Sequence, residues 1–443
     1  MSAGRCVFSN TCCVVEPWNV PPIYAQANFE ALRLRGQLTP YLYTAAYHAH
    51  KKGRWFTTPM YYKWPELEGA YETAAPRPDQ NLRYNVAYML GDDLWVAPVV
   101  HPSNKTDGLA RMTLWIPPGM WVGVPGGEVV SGSDEGTTGR ERLADLSDIP
   151  MFARAGTIVP SIPVRPGGTI GLAMKPFDDL VWTIYLADGG PASGSGEVYE
   201  DDGLTTAYQT RDSFTITKAT YNISSSFEGT NDEIVETIHR RATSMVAKKS
   251  DTLTFSVSTD GHCEKLPTTR ATTLRIVNSL PPASVVVNGL SFPYARFGGK
   301  GSWSYESRDS AIVVETPYSQ VAEGLEIVLK TVQSNDTSLS VDGTGFRLQR
   351  AVTAKAALDE IRRTPGSETG QDKQSGNLLF AASLGSSLES AAGLASPASF
   401  NTLLKSLPEY LVGAYHEIQQ LQGYQQVSRA SALLESVLPK NLN

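Results

Sequence analysis

From Ile23 to Lys52 apolar residues recur every three to four positions: Phe29, Leu32, Leu34 and Leu38, then Tyr41, Leu42, Ala45, Ala46 and Ala49. That period predicts helix. Pro40 should kink the run or split it in two, and Gly53 supplies a C-terminal stop. The pattern then changes. Trp55–Trp64 (WFTTPMYYKW) carries aromatics on alternate and adjacent positions and predicts a strand buried on both faces. LGDDLWVAPVV (Leu90–Val100) predicts another apolar strand entered through a turn at Asp92–Asp93.

Beyond Val100 the chain becomes a series of short β-like runs bounded by Gly, Pro, Asp and Asn. They are MTLWIP (Met112–Pro117), TIVPSIPV (Thr157–Val164), LVWTIYLA (Leu180–Ala187), SFTITKATY (Ser213–Tyr221), DTLTFSVS (Asp251–Ser258), ASVVVNG (Ala283–Gly289), SAIVVETP (Ser310–Pro317) and LEIVLKTV (Leu325–Val332). Regular spacing of this kind predicts β-sandwiches, one over 85–180 and a second over 181–333 after a composition shift near Leu180. Residues 334–443 form a linker and helical tail: helix over Val352–Arg363, helix over Ser375–Ala392, and an amphipathic stretch over Phe400–Leu438 broken at Pro408. Thr364–Gln374, polar and aperiodic, predicts a disordered linker. The fold class is therefore mainly β.

Composition narrows this reading only a little. The 443 residues suggest about three domains at ~150 residues each. A hydrophobic share of 41% and a charged share of 19% are those of an ordinary globular chain. The net charge of -7 gives no basic face for phosphate, so no nucleic-acid partner is expected. No run of ~18 apolar residues predicts a membrane span, and Met1–Cys13 lacks the apolar core of a secretory signal. Cys6, Cys12, Cys13 and Cys263 fit neither a disulfide framework nor zinc spacing and read as ordinary thiols. His48 and His50, two apart on a helix, share no face and make no metal pair. No metal and no cofactor are expected.

Three segments carry a resemblance. Pro40–Pro65 (PYLYTAAYHAHKKGRWFTTPMYYKWP) ends an aromatic-rich helix in an Ala-His-x-x-Gly turn at Ala49–Gly53. Tyr88–Val100 continues to Leu114–Val130 and to Asp148–Pro160 (DIPMFARAGTIVP), with Pro150, Arg154, Gly156 and Pro160 spaced in a motif of high specificity. Gly196–Tyr208 contains Tyr199-Glu-Asp-Asp-Gly203. In this order, over roughly residues 16–330, they resemble glycoside hydrolase family 31, the α-glucosidase type. The resemblance implies that 1–84 is the terminal fragment of a (β/α)8 barrel, one helix and one strand. It also implies proximal and distal C-terminal β-sandwiches at 85–180 and 181–333. The tail has no counterpart in the family pattern. Thr57 or Thr58 stands where the family has an Arg, so packing of that strand is expected to differ.

The implied chemistry is retaining hydrolysis of terminal α-linked glucose or a related sugar by two carboxyl groups about 5–5.5 Å apart. The family's nucleophile motif (Trp-x-Asp-Met-Asn) and acid/base motif (Gly-Asp-Asn, then Trp) are absent here. Of an Arg-Glu-Pro-Trp segment only Glu16, Pro17 and Trp18 remain, with no preceding His. No catalytic residue is assigned, and the chain alone is expected to be catalytically incomplete. Glu200, Asp201 and Asp202 read as a solvated hairpin tip turned by Gly203, with a Ca²⁺ or sugar contact as the competing reading, and Arg154 as the partner of a carboxylate.

Tyr62 and Trp64, at the end of the barrel-type strand, are the candidate sugar-contacting residues, with core packing as the competing reading. The sequons at Asn104, Asn222 and Asn335 matter only in the secretory path. A complete barrel needs ~250 residues and eight strands, so either the coding region is truncated or another polypeptide supplies the rest. Carbohydrate is then a substrate only when the barrel is supplied, and a full-length parent is compatible with the endoplasmic reticulum, lysosome or secretion. The alternative is a non-catalytic carbohydrate-binding or scaffolding β-sandwich protein, its barrel remnant covered by residues 1–22 or by the tail.

Overall fold

The computed structural model describes residues 17–53, 55–74, 85–164, 177–210, 213–228, 248–331, 343–363, 376–386, 397–421 and 424–438. Cys6, Cys12, Cys13, Glu16, Asn335 and the expected linker Thr364–Gln374 lie outside the described residues. The N-terminal helical run is two helices, α1 (Pro22–Gln37) and α2 (Thr39–Lys52), with Pro40 in the first turn of α2. There the missing amide of a proline costs nothing. Gly53, at φ 65°, ends α2 in the left-handed conformation.

The chain is mainly β. In chain order the first strands are β1 (Thr57–Pro59), β2 (Tyr88–Leu90), β3 (Leu94–Val96), β4 (Ala110–Ile116), β5 (Gly119–Val124), β6 (Val129–Gly132), β7 (Thr137–Ala144), β8 (Met151–Arg154) and β9 (Ile158–Ser161). Next come β10 (Asp179–Tyr185), β11 (Ser193–Asp201), β12 (Phe214–Glu228), β13 (Lys248–His262), β14 (Thr269–Val277) and β15 (Ser284–Val287). The last are β16 (Leu290–Ser291), β17 (Ser302–Glu306), β18 (Ala311–Glu315), β19 (Ser319–Gln320) and β20 (Leu325–Lys330). All eight β-like runs expected after Val100 contain a strand.

One six-stranded sheet runs β1-β2-β3-β8-β5-β6, faced by the β4–β7 pair. Its strands alternate strictly. Trp95, Trp121 and Phe152 point to a core shared with Leu114 and Trp115 of β4. Leu94, Val96, Val122, Met151 and Ala153 point the other way, to Leu38 between the two helices, to Tyr41 of α2 and to Val159, Tyr185 and Val277. Burial on both faces explains the unbroken apolar run Leu94–Val96.

A second sheet runs β17-β18-β14-β10-β9, with β19 on β14, and a third runs β11-β12-β13-β20-β15-β16. Trp182, Ile184, Leu274 and Ile312 of the second share one core with Val198, Tyr221, Phe255 and Leu329 of the third. β9 pairs with β10 antiparallel, so hydrogen bonding runs across the expected boundary at 180. Gly194 and Gly196 let β11 cross β9 closely: a Cβ at either would land on a backbone carbonyl, that of Gly156 or Ile158.

Two expectations fail locally. Trp55–Trp64 is not a strand buried on both faces. Only Thr57–Pro59 is extended, paired to β2 alone, before a 3-10 turn at Met60–Tyr62. Pro59 has no amide for a ladder, and no described element covers Trp55, which is 79% exposed. Nor does Pro408 break the helix that contains it. Besides the short α3 (Glu68–Glu72) and α4 (Ala207–Thr210), the tail holds α5 (Thr344–Arg363), α6 (Gly376–Ser386), α7 (Pro397–Gln419) and α8 (Gln425–Glu435), with Pro408 inside α7. Burial of Leu404, Leu407, Leu411 and Ile418 outweighs the lost hydrogen bond.

Candidate functional site

The segments that resemble the family converge on α2. Its 3.6-residue period sends Tyr41 and Thr44 inward and places Tyr43, Tyr47 and His48 along the edge strand β11. The Tyr41 hydroxyl donates to the Leu90 carbonyl (2.8 Å) and accepts from the Asp93 amide (3.2 Å), which ties the helix to the β2–β3 turn. Burial pushes the Tyr41 phenol up, so it stays protonated. The Thr44 hydroxyl donates to the Pro40 carbonyl (2.8 Å) and accepts from the Tyr199 amide (2.9 Å), satisfying an amide on the open edge of β11. Tyr47 stacks on Tyr199 with centroids 3.9 Å apart, and His48 Nε2 lies 2.6 Å from a Glu197 oxygen.

The Tyr199–Gly203 motif completes this joint. Strand alternation turns Glu200 inward, where it is 3% exposed and accepts two bonds from Arg270 (2.8 and 2.9 Å). This corrects the expectation of a solvated tip: Glu200 sits at a strand end, not in the turn. Asp201 faces outward and accepts from the hydroxyls of Tyr43 (2.6 Å) and Tyr199 (2.7 Å). Asp202 accepts from the amides of Leu204 and Thr205 and from the Thr205 hydroxyl, and these bonds hold its carboxyl well below the usual range. All three carboxylates are engaged in holding the hairpin.

Two recesses flank α2 and share Ala45 and Asp92. One, of about 430 Å³, lies between the helix, the β2–β3 turn and strands β9, β11 and β12, with Asp93, Glu197 and Lys218 in its wall. Burial pushes the Asp93 carboxyl up, against the opposing pull of Lys63 and Arg154. The other, of about 330 Å³, is bounded by His48, Gly53, Trp55, Phe56, Tyr62, Lys63 and Met89.

Tyr62 stands on the rim of this second recess and is 66% exposed. Trp64 is turned away from it, edge-on to Trp115 (6.0 Å) and Trp121 (6.2 Å). The two candidate residues therefore do not form one platform. The Arg154 guanidinium lies 4.9 Å over the Trp121 ring, and Gly156, at φ 84°, makes the turn expected of it. Among the described residues no group of three His, Cys, Asp or Glu is placed to hold a metal. The residues that sequence reasoning left unassigned are Tyr43, Thr44 and Tyr47. Their signal was the aromatic helix itself, but their partners lie about 155 positions away.

The family model described as "Glycosyl hydrolase family 31 C-terminal domain" matches residues 53–159, which span β1 to β9. Residues 53–159 are thus similar to the C-terminal domain of glycoside hydrolase family 31. Among curated proteins, this chain is 33% identical over 214 residues to neutral alpha-glucosidase AB of Mus musculus, covering 47% of this chain and 20% of that one. It is 29% identical over 211 residues to alpha-glucosidase 2 of Bacillus thermoamyloliquefaciens, covering 46% and 23%. Against the alpha-xylosidase of Saccharolobus solfataricus the figures are 25% over 198 residues, 44% and 23%. The chain thus spans about a fifth of the length of the curated relatives it matches. A solved GH31 dextranase of Flavobacterium johnsoniae, complexed with glucose, shares the fold with a TM-score of 0.52 at 20% identity, over 72% of this chain and 34% of its own.

Proposed function

We propose that this chain is the supporting C-terminal part of a retaining α-glucosidase-like hydrolase acting on terminal α-linked glucose or a related sugar, with both catalytic aspartates supplied by residues outside it. Residues 1–84 are then the end of a (β/α)8 barrel, and the sandwiches at 85–180 and 181–333 buttress it. Carbohydrate binds only when the remainder of the barrel is in place.

One observation carries this reading. About half of the large hydrophobic side chains exposed among the described residues fall between Trp18 and Tyr71, including Trp55, Tyr62, Ile23 and Tyr24. They run from the turn before α1 to α3, and β1 is the edge of its sheet. An apolar surface beside an open strand edge calls for further polypeptide. The non-catalytic alternative needs residues 1–22 or the tail to cover that surface. The tail helices pack instead into the core of the second and third sheets.

The test is complementation. Co-expression with the barrel portion of a family 31 relative is expected to yield turnover of a chromogenic α-glucoside that neither part gives alone. Trp55→Ser with Tyr62→Ser should abolish the complementation. Activity indifferent to this chain would overturn the proposal.

A further inference from the structure

The tail is seated on the β body by charge as well as by apolar contact. Leu348, Ala351, Leu411 and Leu433 are buried in the same core as Trp182 and Ile312, but apolar burial is non-directional and does not fix an orientation. The direction comes from three arginines and three carboxylates. Arg350 of α5, 4% exposed, donates to the Leu143 carbonyl (2.8 Å) and to Asp148 (3.0 Å). Arg429 of α8 donates to both oxygens of Asp145 (2.5 and 2.7 Å). Arg142 of β7 donates to Glu128 (2.8 Å) and lies 3.9 Å from Asp148. The Phe346 ring lies 4.8 Å from the Arg350 guanidinium and 5.6 Å from that of Arg142.

The first two turns of α5 are fitted tightly as well. Gln349 donates to Asp309 (2.7 Å), and a Cβ at Gly345 would meet the Asp309 backbone at 2.6 Å. From α8, Gln425 reaches the Lys105 carbonyl (2.9 Å). Such a network is a poor source of net stability, since ions removed from water repay little. Arg142 Nη1, Arg350 Nε and Arg429 Nε are buried with no hydrogen-bond partner among the described residues. What the network supplies is a single permitted seat.

We propose that the tail is an internal latch, not a free partner-binding arm: α5 and α8 clasp the Asp145–Asp148 loop and hold the strand entry at Pro150–Met151 to the second and third sheets. That loop leads directly into β8 and the Pro150–Pro160 motif, so the latch ties the proximal motif to the distal core. This inference is independent of the catalytic reading.

Hydrogen exchange on the full chain tests it. Arg429→Glu or Asp145→Arg alone is expected to speed exchange about tenfold both in α8 and in residues 143–150, as loss of one charge-assisted contact implies. The swapped pair D145R with R429E should restore protection in both segments. Where a reversal prevents folding, Asp145→Asn should give the same paired pattern at smaller size. Unchanged exchange in either segment, or a swap that restores neither, would overturn the latch.

Discussion

The buried pair Glu200–Arg270 invites a quantitative test of how the Tyr199–Gly203 motif holds the second and third sheets together. Arg270 and Glu200 are 7% and 3% exposed, and Arg270 makes a further bond from Nε to the Phe177 carbonyl (2.7 Å). Arg270→Met removes all three bonds and leaves a buried carboxylate without its cation. Hydrogen bonds to charged groups contribute about 1.5–3 kcal/mol each, but the carboxylate escapes part of the penalty by taking up a proton. Removal of one partner of a buried pair is therefore expected to cost about 3–5 kcal/mol, not the sum of the bonds. Replacing both, with Arg270→Met and Glu200→Leu, removes the stranded charge and should recover more than half of that loss. Denaturant unfolding gives the midpoint, and exchange protection of β11 and β14 amides gives the local value. Single and double variants with equal losses, or a single-variant cost below about 1 kcal/mol, would refute the reasoning.

Other outcomes follow from the same contacts. Thr44→Val keeps shape but strands the Tyr199 amide, at an expected cost of about 1–3 kcal/mol in denaturant unfolding. Gly194→Ala drives a methyl into the Gly156 carbonyl and should cost about 1–3 kcal/mol or more, read as a lowered Tm. Trp55→Ser should leave stability within about 0.5 kcal/mol, because the ring has little to lose in this chain. Burial opposes ionisation of Asp148, but Arg350 and Arg142 outweigh it and hold the carboxyl below its ordinary value. Its contribution is thus present above the unfolded pKa and lost as pH falls through the depressed folded one. Asp148→Asn should flatten the acid limb of a stability–pH profile.

Much of the architecture was legible because it follows from local rules. A proline in the first turn of α2, a left-handed Gly53 and alternating or continuous apolar runs are each specified by a few neighbouring residues. Strands without that signature were not legible. β7 (TTGRERLA) and β14 (TRATTLRIV) are polar by composition, yet β14 is central, parallel to β10, and buries Leu274 and Ile276. The inward turn of Glu200 was missed because its partner Arg270 is 70 positions away and no local rule specifies that distance. The aromatic composition of Trp55–Trp64 suggests burial throughout, yet Trp55 and Tyr62 are exposed while Met60 is fully buried, a division that composition does not encode. A stop at Pro408 follows from helix propensity, which is local, and packing against the second and third sheets overrides it.

The site was legible to a lesser degree. Tyr62 and Trp64 were singled out together by position, but one rims an open recess and the other packs between tryptophans. The joint made by Thr44, Tyr47 and Tyr199 exists only where the fold brings helix and hairpin together in space.

The central proposal is that this chain supports a family 31 site without containing its catalytic acids. The most direct measurement is turnover of a chromogenic α-glucoside by the purified chain alone. The account predicts no release above the uncatalysed blank. Turnover that disappears when a carboxylate within residues 1–443 is replaced by its amide would contradict it.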